Sequence, residues 1–338
     1  MSRGADRRAV TIYQVAERAN VSPSTVSRVL NGKQVDPAMA ERVRKVAEEL
    51  NFVPSQTAIN LSRSRTHTVG MVLPDLANPT FQAVLRGLDS AAATEGFRIM
   101  VADAHESAEE EVILAQEVRR RCDALVLCAP RMSSDQLREI VPDLAPVVVV
   151  NRFNSWVPAP VVAADYRAGI RGLIDHLVGL GHTRLAYLAG NPSSGSHLER
   201  LGGIEESITA HPGLVIDTVP CGVGFADGFA AAEGLAGSSA TGVLAFNDLV
   251  GMGLLSGFDA RGVRVPDDVS VVGFDDIPFS AYTTPPLTTS AVAATELGAL
   301  AWDRVWDLLN GRTPGPDERL TPRVLVRGST GPAPRATV

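Results

Sequence analysis

The sequence predicts an all-α head of helix-turn-helix type joined to an α/β body of two doubly wound lobes. Three observations predict it. Two short amphipathic helices flank a tight turn near the start of the chain. From Thr68 onward, short apolar runs alternate with amphipathic helical stretches. The charge also splits between the two parts: residues 1–65 hold 11 Lys+Arg and 6 Asp+Glu, a balance of +5, whereas the remainder holds 20 and 32, a balance of −12. A basic head on an acidic body is the footprint of a nucleic-acid-binding module joined to something else, although the net charge of −7 alone would argue against such a partner.

The head is organised by the stretch from Thr11 to Asn31. Ile12, Val15, Ala16 and Ala19 fall at helical spacing on one side of a first helix. The chain breaks at Asn20-Val21, Ser22 is a good N-cap, and Pro23 fits the first helical position, where its missing N–H removes no bond. The second helix turns Val26, Val29 and Leu30 inward and leaves Ser24, Thr25 and Arg28 outside near its start. Small polar groups and one arginine at the exposed start of a short helix suit entry into a major groove. An ordinary helical hairpin with a solvated polar face remains the alternative at this point. A third helix is signalled by Asp36 as N-cap and Pro37 in the first turn. It runs to about Leu50 with Ala40, Val43, Val46, Ala47 and Leu50 inward.

The polar segment from Ser55 to His67 is too short to be a stable helix alone. It reads either as a plain linker or as a segment that folds only when held, with Ala58 and Leu61 on one face and Arg63 and Arg65 able to meet phosphates. An exposed leucine beside small residues suits a minor-groove wedge.

In the body, Val69–Leu73, Arg98–Ala102, Ala124–Cys128 and Val147–Val150 alternate with helical stretches, and a second series begins at Asp165. Such alternation predicts parallel sheets with helices on both faces, and two lobes in series leave a cleft for a small ligand. No apolar run approaches the ~20 residues of a membrane span, and Met1 to Val10 lacks the apolar core of a signal peptide. Cys122, Cys128 and Cys221 show no metal or redox spacing, which fits reduced thiols and a cytoplasmic setting.

Enzyme-like motifs fail on inspection. Gly190-Asn-Pro-Ser-Ser-Gly-Ser has phosphate-loop glycines without the lysine, and Gly222-Val-Gly-Phe-Ala-Asp-Gly has one spacing residue too many for a dinucleotide fingerprint. The six histidines, at 67, 105, 176, 182, 197 and 211, form no zinc pair, and no Gly-x-Ser-x-Gly elbow occurs. Neither a catalytic group nor a metal nor a cofactor is expected. What remains are polar residues at strand ends: Asp75, Asn78 beside Phe81, Asn151 with Arg152, His197 with Arg200, Asn247 with Asp248, and Asp275 with Asp276. Arginine forks, carboxylates and amides suit the hydroxyls of a polyol, while each residue taken alone reads equally well as a cap or a salt-bridge partner.

The run Val-Ser-Pro-Ser-Thr-Val-Ser-Arg-Val-Leu-Asn-Gly, the Pro54…Ala58…Leu61 segment and Thr68-Val-Gly-Met-Val-Leu-Pro closely resemble the lactose-repressor (LacI/GalR) family of transcription regulators, over essentially the whole chain. The resemblance implies a head over 9–54, a hinge helix or linker over 55–67 and an effector-binding, dimerising body over 68–338 of the type I periplasmic-binding-protein kind. It implies lobes built from about 68–162 with 291–320 and from about 163–290 with 321–330, joined by three crossings. Pro23 and Ser24 take the specificity-setting positions of the recognition helix, Thr25, Ser27, Arg28 and Asn31 its other DNA-facing positions, and Thr11 and Tyr13 join them. Ala58 and Leu61 would belong to the hinge, where Ser55 and Ile59 depart from the usual Asn and Arg. Arg200, Asn247 and Asp275 match the ligand-contacting positions most securely, with Asp75, Asn78, Phe81 and Asn151 on the facing lobe; Asp248 is expected to cap a helix.

The expected partners are near-palindromic operator DNA, a second copy of the chain, and a small-molecule effector, most simply a sugar. A purine or nucleoside, made weaker by Val223 standing where some relatives carry a large aromatic, or a ligand acting as corepressor, is the alternative. The Pro/Gly-containing tail after Arg327 has no heptads, which argues against a coiled-coil tetramer. A transport-type binding protein is disfavoured by the basic head, and an enzyme by the missing machinery.

Overall fold

Local chemistry sets where each helix of the head begins. The computed structural model describes residues 10–30, 34–50, 52, 65–153 and 157–334. The Gln14 carboxamide oxygen accepts from the Thr11 N–H at 2.8 Å at the start of α1 (Ile12–Ala19). The helix ends where Asn20 turns left-handed at φ 53°, a conformation asparagine tolerates, and the Val21 N–H closes onto the Ala16 carbonyl at 3.0 Å. Ser22 Oγ accepts from the Thr25 N–H at 3.1 Å and opens α2 (Pro23–Leu30). Asp36 Oδ1 accepts from Met39 N–H at 3.1 Å and opens α3 (Pro37–Glu49). Val15, Ala16, Ala19, Val26, Val29, Val43 and Ala47 form the small buried core. Leu30 and Leu50, expected inward, are half-buried at its rim.

The chain divides into two compact units between His67 and Thr68. In the second unit, fully apolar runs become strands buried on both faces, as a covered parallel sheet requires. The first lobe starts with β1 (Thr68–Leu73), α4 (Pro79–Thr94), β2 (Arg98–Asp103), α5 (Ala108–Arg119), β3 (Ala124–Cys128), α6 (Ser134–Ile140), β4 (Val147–Val150) and β5 (Val161–Ala164). The second continues with α7 (Tyr166–Gly179), β6 (Arg184–Ala189), α8 (Gly195–Ala210), β7 (Val215–Pro220), α9 (Phe225–Leu235), β8 (Gly242–Leu244), α10 (Asp248–Asp259), β9 (Ser270–Asp275) and β10 (Thr288–Ala291). The chain then returns to the first lobe with α11 (Ala294–Leu309) and β11 (Glu318–Leu320), and ends in the second with β12 (Arg323–Leu325).

Among the described residues each lobe has a six-stranded sheet, in the orders β11-β5-β4-β3-β1-β2 and β12-β10-β9-β8-β6-β7. Every pairing is parallel except β10 with β12. The chain therefore crosses between lobes after Ala164, Ala291 and Leu320, and the carboxyl ends of both sheets meet at the cleft. One core cluster runs through both lobes, from Val69 and Leu88 to Tyr187 and Phe274. No helix among the described residues is long and apolar enough to cross a membrane.

The returning helix α11 is locked to α4 by two glycines. A Cβ at Gly87 would strike the Thr295 carbonyl oxygen, and one at Gly298 would strike the Val84 carbonyl oxygen. Both obstacles are backbone, so neither can swing aside. Gly298→Ala is therefore expected to destabilise the body by about 1–3 kcal/mol through enforced separation of the helices. Urea unfolding checks this; a variant as stable as the parent would show that the helices separate without cost.

Candidate functional site

The site grows from the ends of the parallel strands. Asn78 caps α4 through its Oδ1, which accepts from Thr80 N–H at 2.9 Å, and this sets Thr80 and Phe81 at the cleft. Asn247, after β8, caps α10 by accepting from Val250 N–H at 2.9 Å, while its Nδ2 donates to the Val223 carbonyl at 2.9 Å. Strand β9 ends in Asp275, held at φ 107°, a left-side conformation that costs an L-residue and persists only where its surroundings impose it.

Asp248 imposes it. This carboxylate, expected to cap α10, instead accepts from Thr289 Oγ1 at 2.6 Å and from Ile277 N–H at 2.8 Å, leaving the cap to Asn247. It thereby ties the turn after β9 to the neighbouring helix and strand. Gly273 admits the carboxylate: a Cβ there would meet Asp248 Oδ1. Burial pushes Asp248 up to about 8, with the Asp275 charge adding to the rise.

At the centre lies Arg200, on α8, 1% exposed. Its guanidinium carbon sits 4.0 Å from the ring centre of Phe274 and 4.6 Å from those of Tyr166 and Phe246. Its buried Nε and Nη1 have no hydrogen-bond partner. Beside it, Asp275 Oδ2 accepts from Thr80 Oγ1 at 2.9 Å across the two lobes. Desolvation pushes Asp275 up to about 6, against the opposing pull of Arg200 and the Thr80 hydroxyl. Arg200, Asp275, Asn247, Asn78 and Phe81 border one narrow cavity between the lobes.

Two expected residues stand apart. Asp75 does not reach this cavity: its Oδ1 accepts from Ala77 N–H at 2.8 Å in a local turn. Asn151 is also absent from it. Its Oδ1 accepts from Ala164 N–H at 2.9 Å, fixing the first crossing, and its buried Nδ2 borders a smaller pocket that shares Tyr166. Sequence reasoning missed the three aromatic rings around Arg200, as well as Thr80, Glu106 and Arg131. Glu106 accepts from Arg131 at 2.6 and 2.8 Å and from Asn191 Nδ2, on the other lobe, at 2.8 Å. Arg152, singled out only as a strand-end residue, donates to the Ser193 carbonyl across the lobes at 2.8 Å.

In the head, Pro23, Ser24 and Arg28 are exposed on α2, with Thr25 and Ser27 half-buried beside them. Ser22 Oγ lies 2.7 Å from Ser24 Oγ and 2.9 Å from Thr25 Oγ1, so hydroxyls crowd the start of the helix. Thr11 and Tyr13 are exposed at the start of α1, Tyr13 by 71%. Asn31, Ala58 and Leu61, and with them the expected hinge helix, lie outside the described residues.

Residues 11–55 match the bacterial regulatory protein, lacI family model, and residues 174–330 match a periplasmic binding protein-like domain. The transcriptional repressor CytR of Escherichia coli K12 is 30% identical over 96% of this chain and 98% of its own length. This chain belongs to the LacI family. The family's members are transcriptional regulators, and so this chain is a DNA-binding regulator with an effector domain rather than an enzyme. The lac repressor dimer bound to operator and the anti-inducer ONPF matches with a TM-score of 0.85 at 27% identity, over 96% of this chain and all of that one. A transcriptional regulator CelR–cellobiose complex matches with a TM-score of 0.68 at 29% identity, over 95% and 99%.

The raised Asp248 gives this LacI-family body a pH signature. Its folded value lies above the ordinary ~3.9 of an unfolded aspartate, so the folded state holds the proton more tightly. The stabilisation that results is full below about pH 4 and is lost as pH rises toward about 8. Asp248→Asn removes this group's contribution. Wild-type stability, measured relative to D248N by urea unfolding, is expected to fall between pH 5 and 8 (roughly the titration window). Parallel curves would mean that Asp248 titrates alike in both states.

Proposed function

We propose that this regulator is a dimeric repressor whose operator affinity is set by a neutral sugar bound between the lobes. The observation that carries the reading is Arg200: a buried guanidinium with two unpartnered nitrogens, set beside the Asp275 carboxylate in an interlobe cavity. A cation and an anion side by side match a hydroxylated ring, which both donates and accepts. They match a phosphorylated compound poorly, since Asp275 would repel it and Arg131 is already paired with Glu106. Phe81 supplies an apolar face for the C–H side of a sugar ring. The cellobiose complex of the CelR regulator supports a sugar class.

The mechanism follows from what spans the cleft. Thr80 to Asp275, Asn191 to Glu106 and Arg152 to the Ser193 carbonyl all join the lobes. A sugar taking Asp275 as its partner competes with Thr80 and biases the lobe equilibrium, which is the differential interaction any population shift requires. In the dimer this shift would pass to the segment over 55–67 and so to the heads. The exposed start of α2 reads the operator, with Pro23 and Ser24 setting preference and Arg28 facing a base.

Arg200→Ala is expected to weaken sugar binding by about 100-fold or more, the scale of two hydrogen bonds to a charged group, while leaving ligand-free operator binding unchanged. Calorimetry on a sugar panel and anisotropy on an operator fragment check both halves; an undiminished sugar response would overturn the assignment. Arg28→Ala should cost about 1–3 kcal/mol of discrimination between operator variants if it pairs with a base edge. A uniform loss across all sequences would move Arg28 to a phosphate.

A further inference from the structure

Beside the Arg200 cavity lies a larger one, open toward solvent. Its wall comes from the ends of β6 and β7 and the turns after them, where Ala189, Pro192, Pro220 and Cys221 present apolar surface. Glu106 and Val223 border both cavities, so the two adjoin across one carboxylate and one isopropyl group. The polar groups of the outer cavity gather at this boundary. Glu106 receives Asn191 Nδ2 there at 2.8 Å, and the Asn191 Oδ1 accepts from Ser193 N–H at 2.9 Å. His197 also borders the outer cavity, its Nδ1 3.1 Å from the Tyr187 hydroxyl. Asp227 Oδ2 accepts from the Val223 and Gly224 N–H groups at 3.0 and 2.9 Å and holds the turn that carries Val223.

We propose that the outer cavity is a second glycosyl subsite, so that the effector is a disaccharide with one ring at Arg200 and Asp275 and the other beyond Glu106. The proposal rests on the sugar reading of the inner cavity. A pyranose has an apolar C–H face and a rim of hydroxyls, and the outer cavity offers an apolar wall with acceptors and donors at one edge. A nucleobase fits worse, because His197, the aromatic ring bordering the outer cavity among the described residues, is itself stacked on Tyr187 at 5.9 Å between centres and 12° between planes. An anionic substituent fits worst, because Glu106 and Asp227 are the charged groups on that wall. Val223 is then a requirement of the site: a large aromatic there would stand in the passage between the two rings.

Thr218 borders the outer cavity from an exposed position on β7, where a tryptophan can be carried without entering the core. Calorimetry on the full chain would use maltose, cellobiose, lactose, trehalose, sucrose and melibiose, with their constituent monosaccharides. One disaccharide is expected to bind about 10- to 100-fold more tightly than either of its monosaccharides, from the second ring's buried surface. Thr218→Trp should weaken that disaccharide about tenfold or more and leave the monosaccharide within about twofold. Cys221 gives an independent readout, being partly exposed where Cys122 and Cys128 are buried. Slow N-ethylmaleimide labelling at mildly alkaline pH should be blocked at Cys221 by the disaccharide and not by the monosaccharide. Monosaccharides binding as tightly as any disaccharide, or T218W and Cys221 labelling indifferent to the second ring, would overturn the outer subsite and leave the inner one standing. No binding by any sugar of the panel would overturn both.

Discussion

The structure turns on a positive charge held away from water. Moving an ionised side chain into a protein interior costs several kcal/mol even after relaxation. Arg200 offsets part of that cost with three aromatic faces at 4.0–4.6 Å and the neighbouring carboxylate of Asp275. Cation–π contacts are worth about 0.5–2 kcal/mol each and saturate none of the guanidinium's N–H directions. Nε and Nη1 stay unpartnered. A hydroxylated ligand that supplies acceptors there recovers a desolvation penalty the fold has already met, so affinity comes from preorganisation as much as from new contacts.

Much of the surrounding architecture keeps this arrangement from relaxing. Asp275 has to remain beside Arg200 in a left-handed conformation, and Asp248 secures the turn that holds it there by gripping Ile277 and Thr289. Asp248 can do so only because Gly273 lacks a side chain in its path. Burial favours the protonated form of Asp248, which lessens the repulsion between two aspartates on adjacent elements. Asn247 and Asn78 each cap a helix with one amide oxygen, so their positions at the cleft follow from the helix starts and not from the ligand. A site made this way sits on rigid elements from both lobes.

The periodicity of the apolar residues made the alternation of strands and helices, the parallel sheets and the three-helix head readable before any coordinates. Two helix starts in the head were equally plain, because Ser22 and Asp36 are caps whose oxygens meet N–H groups three residues away, whereas the cap expected at Asp248 belongs to Asn247. What lay hidden were the pairings made across the cleft. Glu106 and Asn191 are 85 positions apart, and Thr80 and Asp275 are 195 apart; nothing local marks either pair. Tyr166, Phe246 and Phe274 read as ordinary core because a ring packed on a guanidinium leaves the same sequence pattern as a ring packed on leucine. Asp75 and Asn151 looked like ligand groups at strand ends, and both are engaged with nearby backbone N–H groups. A polar side chain at a strand end is thus informative as a set and ambiguous one residue at a time.

The contacts that hold the lobes together also bear on how a ligand could move them. Thr80 with Asp275, Asn191 with Glu106, and Arg152 with the Ser193 carbonyl are single polar bonds in partly buried settings, each worth about 0.5–3 kcal/mol net. A handful of such bonds balances the lobes against hydration of the same groups instead of welding them. Moving a two-state equilibrium from 1:99 to 99:1 takes about 5.5 kcal/mol of differential binding. In the proposed mechanism, a ring that satisfies Arg200 and takes over Asp275 would contribute toward that difference through two side chains. On the proposed reading, the unpartnered nitrogens of Arg200 are where the ligand would tip the lobes.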